Sequence, residues 1–236
     1  MLEESQEAEE ERRECVCPYM HSLDSNCPLC LHAGGSLFHQ DRFRVYWSCP
    51  QCYLIYVPAR YHISAEAARQ RYDTHRNSPD DPGHAGYRVF LNRLLDVLVP
   101  LLPPGSTGLD FGSGPEPVLS LLMAEQGFQI KNYDPLYANQ PSLLEQTYDF
   151  VTCAETMEHF TQPRANWECL LGLVKHGGWL GIMTQFVTDR SRFPNWYYKR
   201  DVTHVCFYSR ETIEWLAQEY ALSVRFHERS VVVFQR

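Results

Sequence analysis

The sequence lacks any apolar run near the ~18 residues that a membrane-spanning helix needs, and no signal-peptide pattern opens it. Strong positive charge is also missing, since 21 lysines and arginines face 29 acidic residues and the net charge is −8. Seven of the acids and two arginines fall within residues 1–14, which leaves about −3 for the remaining chain. Strong nucleic-acid binders usually carry a basic surface. We therefore expect a cytoplasmic protein that binds neither membranes nor DNA.

Disulfide bonds are not expected, although the sequence contains nine cysteines. Four of them form two Cys-x-x-Cys pairs, Cys27/Cys30 and Cys49/Cys52, with 18 residues between the pairs. Each pair can turn tightly enough for two thiolates to reach one tetrahedral ion, and a short hairpin fits between them. The spacing predicts a structural zinc ribbon over residues 15–58. Two further cysteines, at positions 15 and 17, are interpreted as free thiols, and an exchange of one of them with Cys27 stays open.

Residues 109–116, Leu-Asp-Phe-Gly-Ser-Gly-Pro-Glu, have the pattern of a strand that turns sharply into a helix. Glycine suits such a turn, and without a Cβ atom it lets a ligand lie against the main chain. Asp134 follows Asp110 by 24 residues, near the ~20-residue offset at which a carboxylate accepts the hydroxyls of a ribose. A nicotinamide-binding fingerprint is disfavoured, because Pro117 occupies the position of its third glycine.

Four motifs in order resemble the class I S-adenosylmethionine (SAM)-dependent methyltransferases, and above all the ubiquinone-biosynthesis-like methylases. They are Leu109-Asp-Phe-Gly-Ser-Gly-Pro115, Tyr133-Asp-Pro135, Tyr148-Asp-Phe-Val-Thr-Cys-Ala-Glu-Thr-Met-Glu-His159 and Lys175-His-Gly-Gly-Trp-Leu-Gly-Ile-Met-Thr184. The resemblance covers roughly residues 85–236 and implies an α/β, Rossmann-like sheet. Together with the cysteine pattern it implies a flexible acidic tail at 1–14, a zinc ribbon at 15–58, a helical lid or linker at 59–104 and a methyltransferase domain at 105–236.

The resemblance also implies which residues bind SAM. They are Asp110, Gly112, Ser113, Gly114, Asp134, Pro135, Ala154 and Glu155. Only 14 residues separate Asp134 from Asp149, so the third strand of the usual sheet is expected to be short or missing, and the adenine contacts stay unassigned. Two helices are predicted before the first strand, over 64–76 and 87–99. Tyr72 and His75 share one face of the first helix and are candidates to cover the cofactor.

A long aromatic segment, residues 192–209, follows the predicted fifth strand and is expected to roof the acceptor pocket. Trp196, Tyr197 and Tyr198 are predicted to wall this pocket. Asp201 and His204 are three residues apart, so the carboxylate could orient the imidazole as a general base. His159, in the Glu-His pair after the fourth strand, is the second candidate for the base.

We therefore expect SAM-dependent methyl transfer to a small molecule with a hydroxyl or amine nucleophile. An RNA methyltransferase is one alternative, with a basic face of the ribbon (Arg42, Arg44 and Arg60) docking RNA. A non-catalytic SAM-binding protein is another, because Glu116 stands where the related methylases carry glycine.

Overall fold

The computed structural model describes residues 26–74, 84–227 and 230–236. The predictions for the tail 1–14, for Cys15 and Cys17 and for His75 lie outside these residues. The strands are β1 Ser36–Gln40, β2 Val45–Ser48, β3 Ile55–Tyr56, β4 Thr107–Phe111, β5 Gln129–Tyr133, β6 Tyr148–Ala154, β7 Val174–Met183, β8 Cys206–Phe207, β9 Ser223–His227 and β10 Val231–Gln235. The α-helices are α1 Ala65–Tyr72, α2 His84–Leu98, α3 Val118–Glu125, α4 Pro163–Leu173 and α5 Arg210–Glu219. None of these helices is long and apolar enough to cross a membrane.

A six-stranded sheet forms the centre of the molecule, in the order β5-β4-β6-β7-β10-β9. The first four strands are parallel, and β10 runs antiparallel to both of its neighbours. This confirms the predicted Rossmann-like α/β fold. Between β5 and β6 the described chain forms a 3₁₀ helix, Pro141–Glu145, and no strand, as the 14-residue spacing led us to expect.

Alternate side chains of the strands enter two apolar clusters, one on each face of the sheet. Phe150 and Val233 pack with α2 and α3, whereas Val151 and Val232 pack with α4 and α5. The helices supply residues at helical spacing, for example Leu91, Leu94 and Leu98 in α2 and Trp167, Leu170 and Leu171 in α4. Full burial of one such side chain stabilises the fold by about 1.5–3 kcal/mol.

The predicted helix signals lie where the helices begin and end. Ser64 precedes α1, and its hydroxyl accepts a hydrogen bond from the Ala67 N–H (3.2 Å). Ser209 precedes α5 and forms a reciprocal capping box with Thr212. Gly127 follows α3 with φ +86°, a left-handed conformation that glycine adopts without strain. Helix α1 ends at Tyr72, earlier than the predicted residue 76.

A second, four-stranded sheet has the order β1-β2-β3-β8 and is antiparallel throughout. Its first three strands come from the cysteine-rich segment, whereas β8 comes from the aromatic segment 192–209. Ile55 pairs with Phe207 and Tyr56 with Cys206. The domain boundaries stay predictions, but this sheet takes strands from both the segment 15–58 and the segment 105–236.

Candidate functional site

A cavity of about 1010 Å³ opens at the carboxyl ends of β4, β5 and β6. Ligands of open α/β sheets bind in this position. Residues of the turns after the three strands line one side of the cavity, namely 111–116, 133–137, 154–156 and 158–161. Helix α1, the start of α2 and the aromatic segment line the other side with Tyr72, Tyr87, Tyr197, Tyr198 and His204. The fold thus brings together most of the predicted cofactor and acceptor residues around one space.

The turn after β4 requires both of its glycines. Gly112 has φ +81°, and a Cβ atom on it would overlap the Thr156 side chain. Gly114 has φ +65°, and its N–H donates to Asp134 Oδ2 (3.0 Å). The other Asp134 oxygen accepts from the N–H groups of Leu136 (2.8 Å) and Tyr137 (3.1 Å). This carboxylate is therefore held at the cavity wall, and it keeps lone pairs for further donors.

Three side-chain oxygens at the cavity are buried and have no hydrogen-bond partner among the described residues. They are Ser113 Oγ, Glu116 Oε2 and Glu155 Oε1. A buried polar atom without a partner costs about 1–3 kcal/mol. A polar ligand in the cavity would satisfy these atoms, so this wall fits the amino acid and ribose groups of a molecule such as SAM. Glu116, which replaces glycine, adds one of these oxygens to the wall.

Asp110 does not line the cavity, unlike the other predicted cofactor residues. It is buried, and its carboxylate accepts hydrogen bonds from Thr152 Oγ1 (2.8 Å) and Ser120 Oγ (3.4 Å). Burial raises its pKa to about 6, although these two hydrogen bonds oppose the shift. Its placement supports the end of β4 from beneath the glycine turn, and direct contact with a cofactor stays a prediction.

Glu158 is the most enclosed acid of the site, with none of its surface exposed. The Tyr198 hydroxyl donates to its Oε1 (2.5 Å) and the Thr184 hydroxyl to its Oε2 (3.0 Å). The neighbouring acid Glu155 has a left-handed backbone, with φ +48°, which is unusual for a residue with a side chain. Burial and the charge of Glu158 raise the pKa of Glu155 to about 9. The sequence placed Glu158 in the motif but could not show its hydrogen bonds. The donors, Thr184 and Tyr198, lie 26 and 40 residues further along the chain.

Two imidazoles meet beside Glu158, with the ring centroids of His159 and His204 4.7 Å apart. His159 Nδ1 lies 3.2 Å from the Thr203 carbonyl oxygen, and His204 Nδ1 lies 2.7 Å from the Tyr198 carbonyl oxygen. A carbonyl only accepts, so each Nδ1 carries the proton and Nε2 has the lone pair of the neutral ring. Burial lowers the pKa of His204 to about 4, against an opposing effect of Glu158.

The orientation of His204 by Asp201 stays a prediction, and the two side chains do interact electrostatically. The Asp201 carboxylate accepts from the Thr203 N–H (3.0 Å) and hydroxyl (2.6 Å), and from Arg71 Nε (3.2 Å). Although burial opposes the shift, the Thr203 contacts lower the pKa of Asp201 to about 2. The His204 ring also has a hydrogen-bond contact of its own, from Nδ1 to the Tyr198 carbonyl oxygen (2.7 Å).

The aromatic wall also differs from its prediction in two places. Tyr197 and Tyr198 line the cavity, but Trp196 does not: its ring lies 5.1 Å from that of Tyr198 and is partly buried against the apolar core. Tyr72 covers His159 at 5.2 Å, edge to face, in agreement with a covering role for α1. Tyr87 of α2 lines the cavity and was missed, because its helical spacing indicated only an apolar helix face.

The four predicted zinc ligands cluster within 4.8 Å of one another. Cys27 and Cys52 have their Sγ atoms 3.4 Å apart, as do Cys30 and Cys49, and no disulfide joins them. Leu31 and Tyr53, each directly after a cysteine pair, have φ near +60° (64° and 61°). Both turns thus form with a non-glycine residue in the left-handed conformation. Four convergent thiols are the donor set of a structural zinc site, so the residues fit the ion.

Arg44 connects the cysteine-rich segment to the aromatic segment that lines the cavity. Its guanidinium donates to three backbone carbonyls, those of Lys199 (2.6 Å), Asp201 (3.0 Å) and Val202 (3.2 Å). The side chain is buried, so it does not contribute to a basic RNA-docking face.

Comparison with known proteins agrees with this geometry. A sequence profile described as "Methyltransferase domain" matches residues 84–225, more than half of the chain. Among curated proteins, the ubiquinone biosynthesis O-methyltransferase of Klebsiella pneumoniae (strain 342) is 36% identical over 72 residues, which is 30% of either chain. The protein of the same name from Paraburkholderia xenovorans (strain LB400) is 37% identical over 78 residues, 33% of either chain. The chain therefore matches about a third of the length of these relatives.

Among solved structures, an O-methyltransferase family protein from Burkholderia thailandensis superimposes with a TM-score of 0.51 at 16% identity. The superposition covers 75% of this chain and 62% of that one, and it shows a shared fold. The sheet, the glycine turn and the profile match lead to one conclusion: the chain belongs to the methyltransferase-domain family.

Proposed function

We propose that this protein transfers the methyl group of SAM to a small molecule through a hydroxyl or amine nucleophile. One observation carries the proposal. A single cavity contains both a cofactor end and an acceptor end. The glycine turn and Asp134 at one end suit a nucleoside. The tyrosines, histidines and buried acids at the other end suit an acceptor. The curated relatives are named as O-methyltransferases of ubiquinone biosynthesis, which favours an oxygen acceptor.

The cofactor end of the cavity comprises Gly112, Ser113, Gly114, Asp134, Pro135, Ala154 and Glu155. SAM supplies a methyl group that its sulfonium sulfur already activates. The residues therefore need to bind and orient it rather than to activate it. Asp134 is the candidate partner of the ribose hydroxyls, and the unpartnered Ser113 Oγ and Glu116 Oε2 are candidate partners of its other polar groups.

The acceptor end has to align a nucleophile with the methyl group, exclude water and take up a proton. Tyr72, Tyr87 and Tyr198 enclose this end. Alignment of two bound reactants contributes on the order of 7–11 kcal/mol. Proton removal contributes roughly 10²–10⁴-fold, and His204 and His159 are the candidates because each neutral ring keeps an Nε2 lone pair.

A structural zinc ion at Cys27, Cys30, Cys49 and Cys52 completes the proposal. The ion would hold the two cysteine pairs together and so stabilise the four-stranded sheet, whose last strand belongs to the acceptor segment.

Calorimetry with SAM tests the cofactor site directly. We expect the wild type to bind SAM and Asp134→Ala to lose about 1.5–3 kcal/mol of binding free energy, since a charge-assisted hydrogen bond to the ribose is removed. Asp96→Ala is the control, because Asp96 is exposed on α2 and should leave the affinity unchanged. Equal affinity in both variants would refute the assignment.

The acceptor class is tested with methyl-labelled SAM and a fractionated cell extract. Label in the small-molecule fraction supports the proposal. Label in RNA would instead favour the RNA alternative, and SAM binding without transfer to any fraction would favour a non-catalytic role.

A further inference from the structure

Three side chains at the acceptor end of the cavity have the arrangement of metal ligands. A carboxylate oxygen of Glu158 and one ring nitrogen each of His159 and His204 lie within 4.8 Å of one another. His159 Nε2 is 4.0 Å from Glu158 Oε1. Two imidazoles and one carboxylate are a recurrent ligand set for divalent transition metals that keep positions open for other ligands.

The surroundings of the two imidazoles match those of metal ligands. A metal-bound histidine usually donates its other ring N–H to a carbonyl or carboxylate, which fixes the ring and its tautomer. His159 has such a contact to the Thr203 carbonyl and His204 to the Tyr198 carbonyl. Both rings thus keep Nε2 as the atom with a free lone pair.

The carboxylate is equally well supported. Glu158 is held by the hydroxyls of Tyr198 and Thr184, and it retains lone pairs beyond these two hydrogen bonds. Glu155 adds a second carboxyl group nearby, whose Oε1 is buried without a partner in the described part of the chain. Among the described residues, no lysine or arginine forms an ion pair with either acid. A divalent cation would balance the charge of a Glu158 carboxylate in this enclosed position.

We propose that Glu158, His159 and His204 bind one divalent transition-metal ion at the acceptor end of the cavity. Three protein ligands leave coordination positions open toward the cavity, where an acceptor hydroxyl oxygen binds. The cation would lower the pKa of that hydroxyl, whose proton passes to water in the cavity while the imidazole lone pairs hold the metal. The hydroxyl oxygen then forms the new bond to the methyl carbon as the sulfur–methyl bond of SAM breaks, and S-adenosylhomocysteine leaves. This role of the ion rests on the proposed methyl transfer, whereas the binding of the ion does not.

The geometry needs only a small adjustment to hold an ion. Nitrogen and oxygen ligands lie about 2.0–2.2 Å from a metal such as zinc, so they are roughly 3–4 Å from each other. Rotations of the three side chains would bring their ligand atoms to this spacing. The mixed donor set suits zinc, manganese or iron better than calcium or magnesium, which prefer oxygen ligands alone.

Titration with Mn²⁺ tests the site in the full-length protein, because thiolate clusters select softer ions and leave Mn²⁺ to this site. The protein is first dialysed against a weak carboxylate chelator that leaves thiolate-bound zinc in place, and free Mn²⁺ is then followed by electron paramagnetic resonance. We expect one Mn²⁺ per chain and enhanced water-proton relaxation, since open positions hold water. Removal of a residue that only hydrogen-bonds to a metal ligand costs about 10–100-fold in metal affinity. Removal of a ligand itself, in His159→Gln or His204→Gln, should weaken Mn²⁺ binding at least that much.

His62→Gln is the matched control, since His62 Nε2 contacts the Val57 carbonyl (2.9 Å) and this residue lies outside the cavity lining. Circular dichroism shows whether each variant is folded. Two ligand variants are used so that the test still stands if one of them does not fold. No Mn²⁺ binding at millimolar concentration, or the same affinity in the wild type and both ligand variants, would overturn the inference.

Calorimetry with SAM on the same samples separates the two proposals. SAM binding without any Mn²⁺ site would leave the proposed function standing and remove this inference. Mn²⁺ binding that depends on the two histidines, without SAM binding, would support the metal site and contradict the proposed function.

Discussion

Replacement of the buried Asp110 by asparagine should stabilise the protein at neutral pH. Asp110 is only 3% exposed and lies beneath the glycine turn, with hydrogen bonds from Thr152 and Ser120. Asparagine has nearly the same shape and can accept one of these bonds and donate in the other. The variant Asp110→Asn therefore removes a buried ionisable group without opening a cavity.

The magnitude follows from the pKa of Asp110, which burial raises from an ordinary value of 3.8 to about 6. An acid with a raised pKa binds its proton more tightly in the folded state than in the unfolded state. The folded state therefore holds more protons between pH 4 and pH 6, and stability falls as the pH rises through this window. The two-unit difference corresponds to about 3 kcal/mol of lost stability above pH 6, which the asparagine variant does not lose.

Urea denaturation of both proteins at pH 4.5 and at pH 8 measures this difference. The variant should gain stability relative to the wild type at pH 8, and by clearly less at pH 4.5. Asp149→Asn is a control of opposite sign, because hydrogen bonds from Lys175 and Thr107 lower the pKa of Asp149 to about 2. That group stabilises the fold above pH 4, and its contribution is lost as the pH falls. A pH-independent effect of Asp110→Asn would refute the reasoning.

Two further predictions concern the glycine turn and the cysteine cluster. Gly112→Ala should lower the free energy of unfolding by more than Gly127→Ala in urea denaturation, because both sites have positive φ but only the first Cβ would overlap another side chain, that of Thr156. Removal of zinc with a strong chelator should increase hydrogen exchange at residues 190–208 as well as at 26–58, with β4 and β6 little changed. An increase confined to 26–58 would contradict the shared sheet.

The parts of the fold that depend on local sequence were predictable. The glycine turn, the caps at Ser64 and Ser209 and the end of α3 at Gly127 each depend on the backbone preference of a few neighbouring residues. The two Cys-x-x-Cys pairs also turn as expected, because each turn closes within four residues. The parallel sheet followed from the order of the motifs.

The parts of the site that depend on distant contacts were not predictable in this way. The spacing predicted that Asp201 orients His204. The Asp201 carboxylate competes with backbone carbonyls for the imidazole N–H, and the Tyr198 carbonyl oxygen is in contact with His204 Nδ1. Trp196 belongs to an aromatic run, and no pattern within that run shows which ring faces the core. The Arg44 contacts span more than 150 residues of chain, so only the folded structure reveals them.

Val205 is one link between the four-stranded sheet and the candidate site. The Val205 N–H donates to the Glu158 carbonyl (2.8 Å), and the Val205 carbonyl accepts from the Val57 N–H (2.9 Å). A strand of two residues such as β8 does not form without a neighbour, so its place depends on β3 and on the cysteine turns before it. His204 lies two residues before this strand. The position of its ring against Glu158 therefore depends on the order of the cysteine-rich segment, which gives that segment a part in shaping the acceptor end of the cavity.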